Sequence, residues 1–173
     1  MQRAIARNPV AVAKVWQLID LTNRALMSSR ESSEQIAEIF GLTYADYRQQ
    51  LHAGESKDQT LLDYILSLRA TYKTAMLSNV SVGGLARRFE PGELERYFDV
   101  VVASGDIGYA KPEAEAYEIT ADRLSVRLDE CVFIDDREDY CAGAHAVGMQ
   151  TIVYQSFAQC CAELKALLSQ SAA

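Results

Sequence analysis

Residues 131–136, Cys-Val-Phe-Ile-Asp-Asp, decide the fold. Val132, Phe133 and Ile134 are bulky, β-prone and continuous, which is the composition of a strand buried on both faces. The run ends abruptly in two carboxylates. Two acids at the mouth of a buried strand are costly unless something cationic meets them. The carboxyl end of a strand is also where open α/β sheets put their ligand sites. Asp135 and Asp136 therefore read as the metal end of a site.

Outward from this strand the same texture repeats. Downstream, an alanine-rich helix (Ala142, Ala144, Ala146) ends at Gly148, residues 151–154 form a last strand, and residues 157–168 a closing helix. Upstream, Pro112 opens a helix from its first-turn position, with Ala114, Tyr117, Ala121 and Leu124 as the inner face. Residues 100–102, three valines, make a buried strand that ends in Ser104-Gly105. Residues 74–77 make a shorter one that ends in Ser78-Asn79. Helical segments around 84–89 and 92–97 lie between them. Strand and helix thus alternate four times, the pattern of a parallel sheet with helices on its faces.

Before this alternation the chain reads as helix from residue 10 to about 72, with no strand-like stretch. Val12, Val15, Trp16, Ile19 and Leu26 keep helical spacing. Gly41 stops a short second helix, Thr43 caps a third, and Leu61, Leu62, Ile65 and Leu68 mark a fourth. The expected architecture is α/β: a Rossmann-like parallel sheet with flanking helices over residues 71–173, preceded by an all-helical subdomain over residues 1–70.

Composition narrows the function. The chain has 173 residues, 49% hydrophobic and 24% charged, with a net charge of -7 and no basic stripe. That weighs against nucleic acid or an anionic membrane as partner. No apolar run is long enough to span a bilayer, and residues 1–9 lack the plan of a signal peptide. The expectation is a cytoplasmic protein. Its four cysteines, Cys131, Cys141, Cys160 and Cys161, form no Cys-x-x-Cys pair and serve as reduced, small hydrophobes. Cys141 and His145 share a helix face, but a zinc site there has no second ligand pair.

Three polar clusters follow strands. Ser78-Asn79 ends the first, Lys111 lies in the loop after the second, and Asp135-Asp136 ends the third. A parallel sheet brings these ends to one edge. A hydroxyl with free N–H groups, an ammonium and a carboxylate pair are the parts for holding a phosphate and a Mg²⁺ together. Singly, each has a plainer reading: a turn, a solvated loop, a helix cap. Their order and spacing carry the case.

That order resembles the haloacid dehalogenase-like (HAD) hydrolase superfamily. Leu77-Ser78-Asn79 resembles its second motif, Gly108-Tyr109-Ala110-Lys111-Pro112-Glu113 its third, and Val132-Phe133-Ile134-Asp135-Asp136-Arg137, continuing through Ala142-Gly143-Ala144 to Gly148-Met149, its fourth. The resemblance covers about residue 60 to the end and implies a Mg²⁺-dependent, phosphatase-type hydrolase acting on a small phosphorylated metabolite through an aspartyl intermediate. Ser78 would bind the phosphoryl group, with Asn79 supporting its loop. Lys111 would bridge phosphate and nucleophile, and Asp135 and Asp136 would serve the metal. The N-terminal helices would be the cap, whose Trp16, Tyr44 and Tyr47 fit ordinary packing better than a substrate pocket.

One part is missing. The family's nucleophile is the first Asp of an Asp-x-Asp on the first, central strand, and no Asp-x-Asp precedes Ser78. Asp20, in Leu18-Ile19-Asp20-Leu21-Thr22, is the nearest decoy, but its surroundings keep helical period. The resemblance therefore puts the first motif upstream of Met1. Without it there is no attacking group, Mg²⁺ affinity falls, and Asp135 and Asp136 repel one another. The favoured reading is a truncated HAD-like domain, inactive as this chain. The alternatives are an active hydrolase with its nucleophile from Asp20, an upstream segment or a partner, and a non-catalytic binding module. The lost strand normally lies between the strands ending at Leu77 and Ile134. The expectation is either closure into one four-stranded sheet or a homodimer that buries the exposed edges.

Overall fold

The computed structural model describes residues 9–53 and 56–170. By contact the chain groups into two compact units. One comprises residues 1–59, 79–90 and 103–110, the other residues 60–78, 91–102 and 111–173.

The first unit is built on helices α1 (Pro9–Asn23), α2 (Ser29–Ile39) and α3 (Tyr44–His52). Their starts follow from local chemistry. Ser28 caps α2 by accepting the Glu31 N–H, and Thr43 caps α3 by accepting the Asp46 N–H. The core is Leu18, Ile36, Ala37 and Tyr47, with Val15, Ile19 and Leu51 packed around it. Tyr47 meets the packing expectation, whereas Trp16 is 57% exposed and Tyr44 lies at the surface. The apolar stripe of α1 turns Leu18 inward, and Trp16, two residues away, cannot share that face.

The second unit carries the sheet strands. After α4 (Gln59–Leu68) come β1 (Ala75–Ser78), α5 (Glu93–Tyr97) and β2 (Val100–Ala103), whose last residue groups with the first unit, as does the short α6 (Ser104–Ile107). Then follow α7 (Ala114–Leu124), β3 (Val132–Asp135), α8 (Glu138–Ala146), β4 (Gln150–Val153) and α9 (Phe157–Gln170). β3 and β4 are parallel, with Val132 opposite Gln150 and Asp135 opposite Val153. Asp99 N–H donates to Thr74 O at one end of the β1–β2 pair, and Gly105 N–H to Val80 O at the other. That constant offset is the mark of a parallel pair.

The architecture is the expected α/β one, with parallel strands, helices around them and a helical N-terminal part. Two details differ. Pro112 lies outside α7, because Glu113 is extended and occupies the cap position. The sheet also does not close: among the described residues β1 pairs with β2 and β3 with β4, as two separate two-stranded sheets. Closure into one four-stranded sheet is therefore corrected. Leu77 of β1 and Phe133 of β3 both lean on the cluster of Tyr117, Ala121, Ala144 and Met149. That packing holds the strands on one apolar layer without pairing their backbones.

Candidate active site

In the second unit the structure brings Lys111 and Asp135 together. Lys111 Nζ donates to Asp135 Oδ2 at 2.6 Å. Only 8% and 11% of the two side chains are exposed. The other carboxylate oxygen, Oδ1, accepts the Arg137 N–H at 3.0 Å. Asp135 is thus held from both sides, by an ammonium and by the backbone at the start of α8. Lys111 also sits 4.9 Å above the Tyr140 ring and 5.4 Å above that of Phe133, so aromatic faces line the cation's flanks.

The local fold explains the placement. β3 ends at Asp135, and the backbone turns directly into α8 at Glu138. Tyr117, fully buried on α7, donates its hydroxyl to Tyr140 O at 2.7 Å and meets Phe133 edge-on at 5.2 Å. Burial pushes the Tyr117 hydroxyl well above the ordinary tyrosine range, and the Asp135 charge adds to the effect, so it stays a donor. Gly143 permits the close approach of α8: a Cβ there would lie 2.7 Å from Pro112 O and 2.9 Å from the Tyr117 hydroxyl. The Lys111 loop, α7 and α8 are packed as one block around the ion pair.

The remaining expected residues are placed as follows. Ser78 is the last, half-buried residue of β1. Asn79 groups with the first unit, where it lines a cavity. Ser104, which sequence reasoning passed over as a strand end, is fully buried and fixes the segment after Asn79: its hydroxyl accepts the Val80 N–H at 3.0 Å. Asp136 is exposed. Asp20 lies on α1, not on a strand, and is paired with Arg24 at 3.0 Å. Cys141 is buried and its thiol donates to the Ile152 and Asp135 carbonyls, while His145 is exposed. All four cysteines are free.

A Mg²⁺ site asks for about six oxygen ligands in octahedral array. Among the described residues no group of three or more His, Cys, Asp or Glu converges on one point. Both oxygens of Asp135 accept hydrogen bonds, from Lys111 and from Arg137. The donor set of the described residues does not by itself fit a complete Mg²⁺ site.

A family model for haloacid dehalogenase-like hydrolases matches residues 2–148. The chain is 37% identical over 83 residues to Phosphatase MT3486 of Mycobacterium tuberculosis, a match covering 47% of this chain and 38% of that protein. It is 26% identical over 152 residues to the D-ribitol-5-phosphate phosphatase of Bacteroides thetaiotaomicron, covering 83% of this chain and 74% of that one. A solved HAD family enzyme of the same organism superposes with a TM-score of 0.72 at 21% identity, over 86% of this chain and 78% of the other. That enzyme has also been solved with magnesium and inorganic phosphate (TM-score 0.67, 23% identity, over 79% and 74% of the two chains). The matches to the phosphatase from M. tuberculosis and to the rat bifunctional epoxide hydrolase 2 span only 38% and 13% of those proteins. With residues 2–148 under the family model, this chain belongs to the haloacid dehalogenase-like hydrolases.

Proposed function

We propose that the chain is a phosphatase-type domain that supplies the phosphate-binding half of a hydrolase site and does not turn over phosphoesters by itself. The observation that carries this reading is the buried Lys111–Asp135 ion pair. An ammonium held at the carboxyl end of a strand is placed to neutralise an arriving phosphoryl group. In this reading Ser78 donates to a phosphoryl oxygen, Asn79 supports its loop, and Lys111 divides its charge between the phosphoryl group and Asp135. Asp136 stands beside Asp135 as the second acid. The substrate is a small phosphorylated metabolite: relatives are named as phosphatases of D-ribitol 5-phosphate and of fructose 1-phosphate.

The absence of turnover rests on the nucleophile. The sequence contains no Asp-x-Asp. Asp20, the one decoy, is half-exposed on a helix and engaged by Arg24. A carboxylate so placed is neither desolvated nor fixed for in-line attack. Magnesium belongs to the reading through a relative solved with it.

The test is hydrolysis of p-nitrophenyl phosphate with Mg²⁺, comparing wild type, Asp20→Asn and Asp135→Asn. No turnover in any of the three is the expected result. Turnover lost only in Asp135→Asn would replace the proposal with an active enzyme using another nucleophile. Turnover lost in Asp20→Asn as well would assign that role to Asp20.

A further inference from the structure

The first unit carries a half-open cavity of about 250 Å³. The described residues of its wall include Arg48, Arg87 and Arg88 and no Asp or Glu. In a chain of net charge -7 that is a local inversion of sign. The rest of the polar wall is Asn23, Asn79 and hydroxyl groups, three of which (Ser29, Ser32, Ser33) come from the first turn and a half of α2. The open N–H groups of a helix start add positive potential there. Arg87 is anchored on a neutral acceptor, the Ser81 hydroxyl at 3.2 Å, so its charge is oriented without being neutralised by that contact. Apolar residues are present too (Ile19, Ile36, Leu51), enough to lie along a short carbon chain. Guanidinium groups, amides and hydroxyls around a small concave space suit an acid group on a hydroxylated carbon skeleton.

We propose that this cavity binds the carboxylate or phosphate of a small polyol-like metabolite, and so selects substrates carrying a second acid group besides the one hydrolysed. The binding stands on the cavity alone; the word substrate rests on the phosphatase reading above. Arg48, Arg87 and Arg88 are specificity-determining in this proposal, Asn79 and the α2 serines hydrogen-bonding partners.

Titration calorimetry at low salt tests it, using glycerate, inorganic phosphate and glycerol as probes. The wild-type chain serves as host, and the arginine substitutions separate binding in the cavity from any binding at Lys111. At least one of the two anions should bind, glycerol should not, and Arg87→Gln/Arg88→Gln should weaken anion binding about tenfold or more. Which anion binds tells a carboxylate from a phosphate ligand. Both arginines are exposed, and an unchanged melting temperature checks the double variant. Arg48→Gln carries the same comparison should the double variant melt early. No anion binding, binding indifferent to both sets of substitutions, or glycerol binding as tightly as the anions would overturn the proposal. Because the titrations involve no turnover, their outcome is independent of the p-nitrophenyl phosphate assay.

Discussion

Lys111 and Asp135 form a nearly buried ion pair whose value depends on both members being present. Removing one leaves the other charge in a low-dielectric site, typically at a cost of about 3–5 kcal/mol. Lys111→Ala should therefore lower the urea midpoint sharply. Removing both relieves the stranded charge, so Lys111→Ala/Asp135→Ala should be less destabilised than the sum of the single variants. A double-mutant cycle by urea unfolding measures the difference. Additive costs would mean that the pair is not coupled as its 2.6 Å separation implies. The pair was legible as two separate strand-end residues, since Asp135 closes a visible apolar run and Lys111 precedes a proline. Their union was not, because no local pattern records a contact between residues 24 apart. The arginines of the cavity were less legible still. Arg48 and the Arg87-Arg88 pair lie in separate stretches of the chain, and only the fold gathers them.

At the scale of elements, one close approach holds the site block together and one tie joins β1 to β2. The first is α8 against the Lys111 loop at Gly143. Gly143→Ala forces a Cβ to within 3 Å of Pro112 and Tyr117, both in packed surroundings. The expected cost is about 1–3 kcal/mol, the usual range for overpacking, despite alanine's better helix propensity. Thermal unfolding checks it, and an unchanged or raised Tm would show that the block yields. The second is the tie between the starts of β1 and β2. Asp99 accepts the Thr74 N–H at 2.8 Å and pairs with Arg69 at 2.9 Å. The Thr74 backbone bond, and then Arg69, hold its carboxyl below the usual carboxylate range. A depressed folded pKa contributes stability above the unfolded value, about 3.9, and loses it as pH falls through the folded value. The group is partly exposed, so the contribution is modest, about 0.5–1 kcal/mol after solvent screening. Asp99→Asn should be less stable than wild type by that amount at neutral pH, and the two should converge in acid. Urea unfolding across that pH range decides it; a gap independent of pH would put the effect in packing. The alternation of strands and helices was readable because each strand is a short apolar run. The start of α7 was misjudged at Pro112, whose preference for a first turn yields here to an extended Glu113.

Across the second unit, burial runs opposite to what a complete open sheet would give. Val102 of β2 and Ile152 of β4 are almost fully buried, at 0% and 1% exposure. Every residue of β1 and β3 is only half-buried. Yet β3 is a continuous apolar run that ends in acids, a sequence written for a two-sided interior. β1 and β3 share the Tyr117 cluster, and among the described residues neither has a second strand partner. The sequence could not show this, since each strand reads as buried by its own composition and pairing is a property of two strands. Unpaired parallel edges beside apolar side chains favour pairing with another extended segment. The expected outcome is self-association through β1 and β3, which would bury those edges in a homodimer. Sedimentation velocity at rising concentration should show a monomer–dimer shift. Amide exchange over residues 75–78 and 132–135 should slow in step with it, while residues 150–153 change little. A lysine at an edge is the usual block to such pairing, so Phe133→Lys would remove apolar packing as well and is a poor probe; Val132→Lys, at the entry of β3, should abolish the shift with less damage to the core. A chain that stays monomeric throughout, with unchanged exchange in β1 and β3, would mean that their apolar side chains are satisfied by the α7 layer alone.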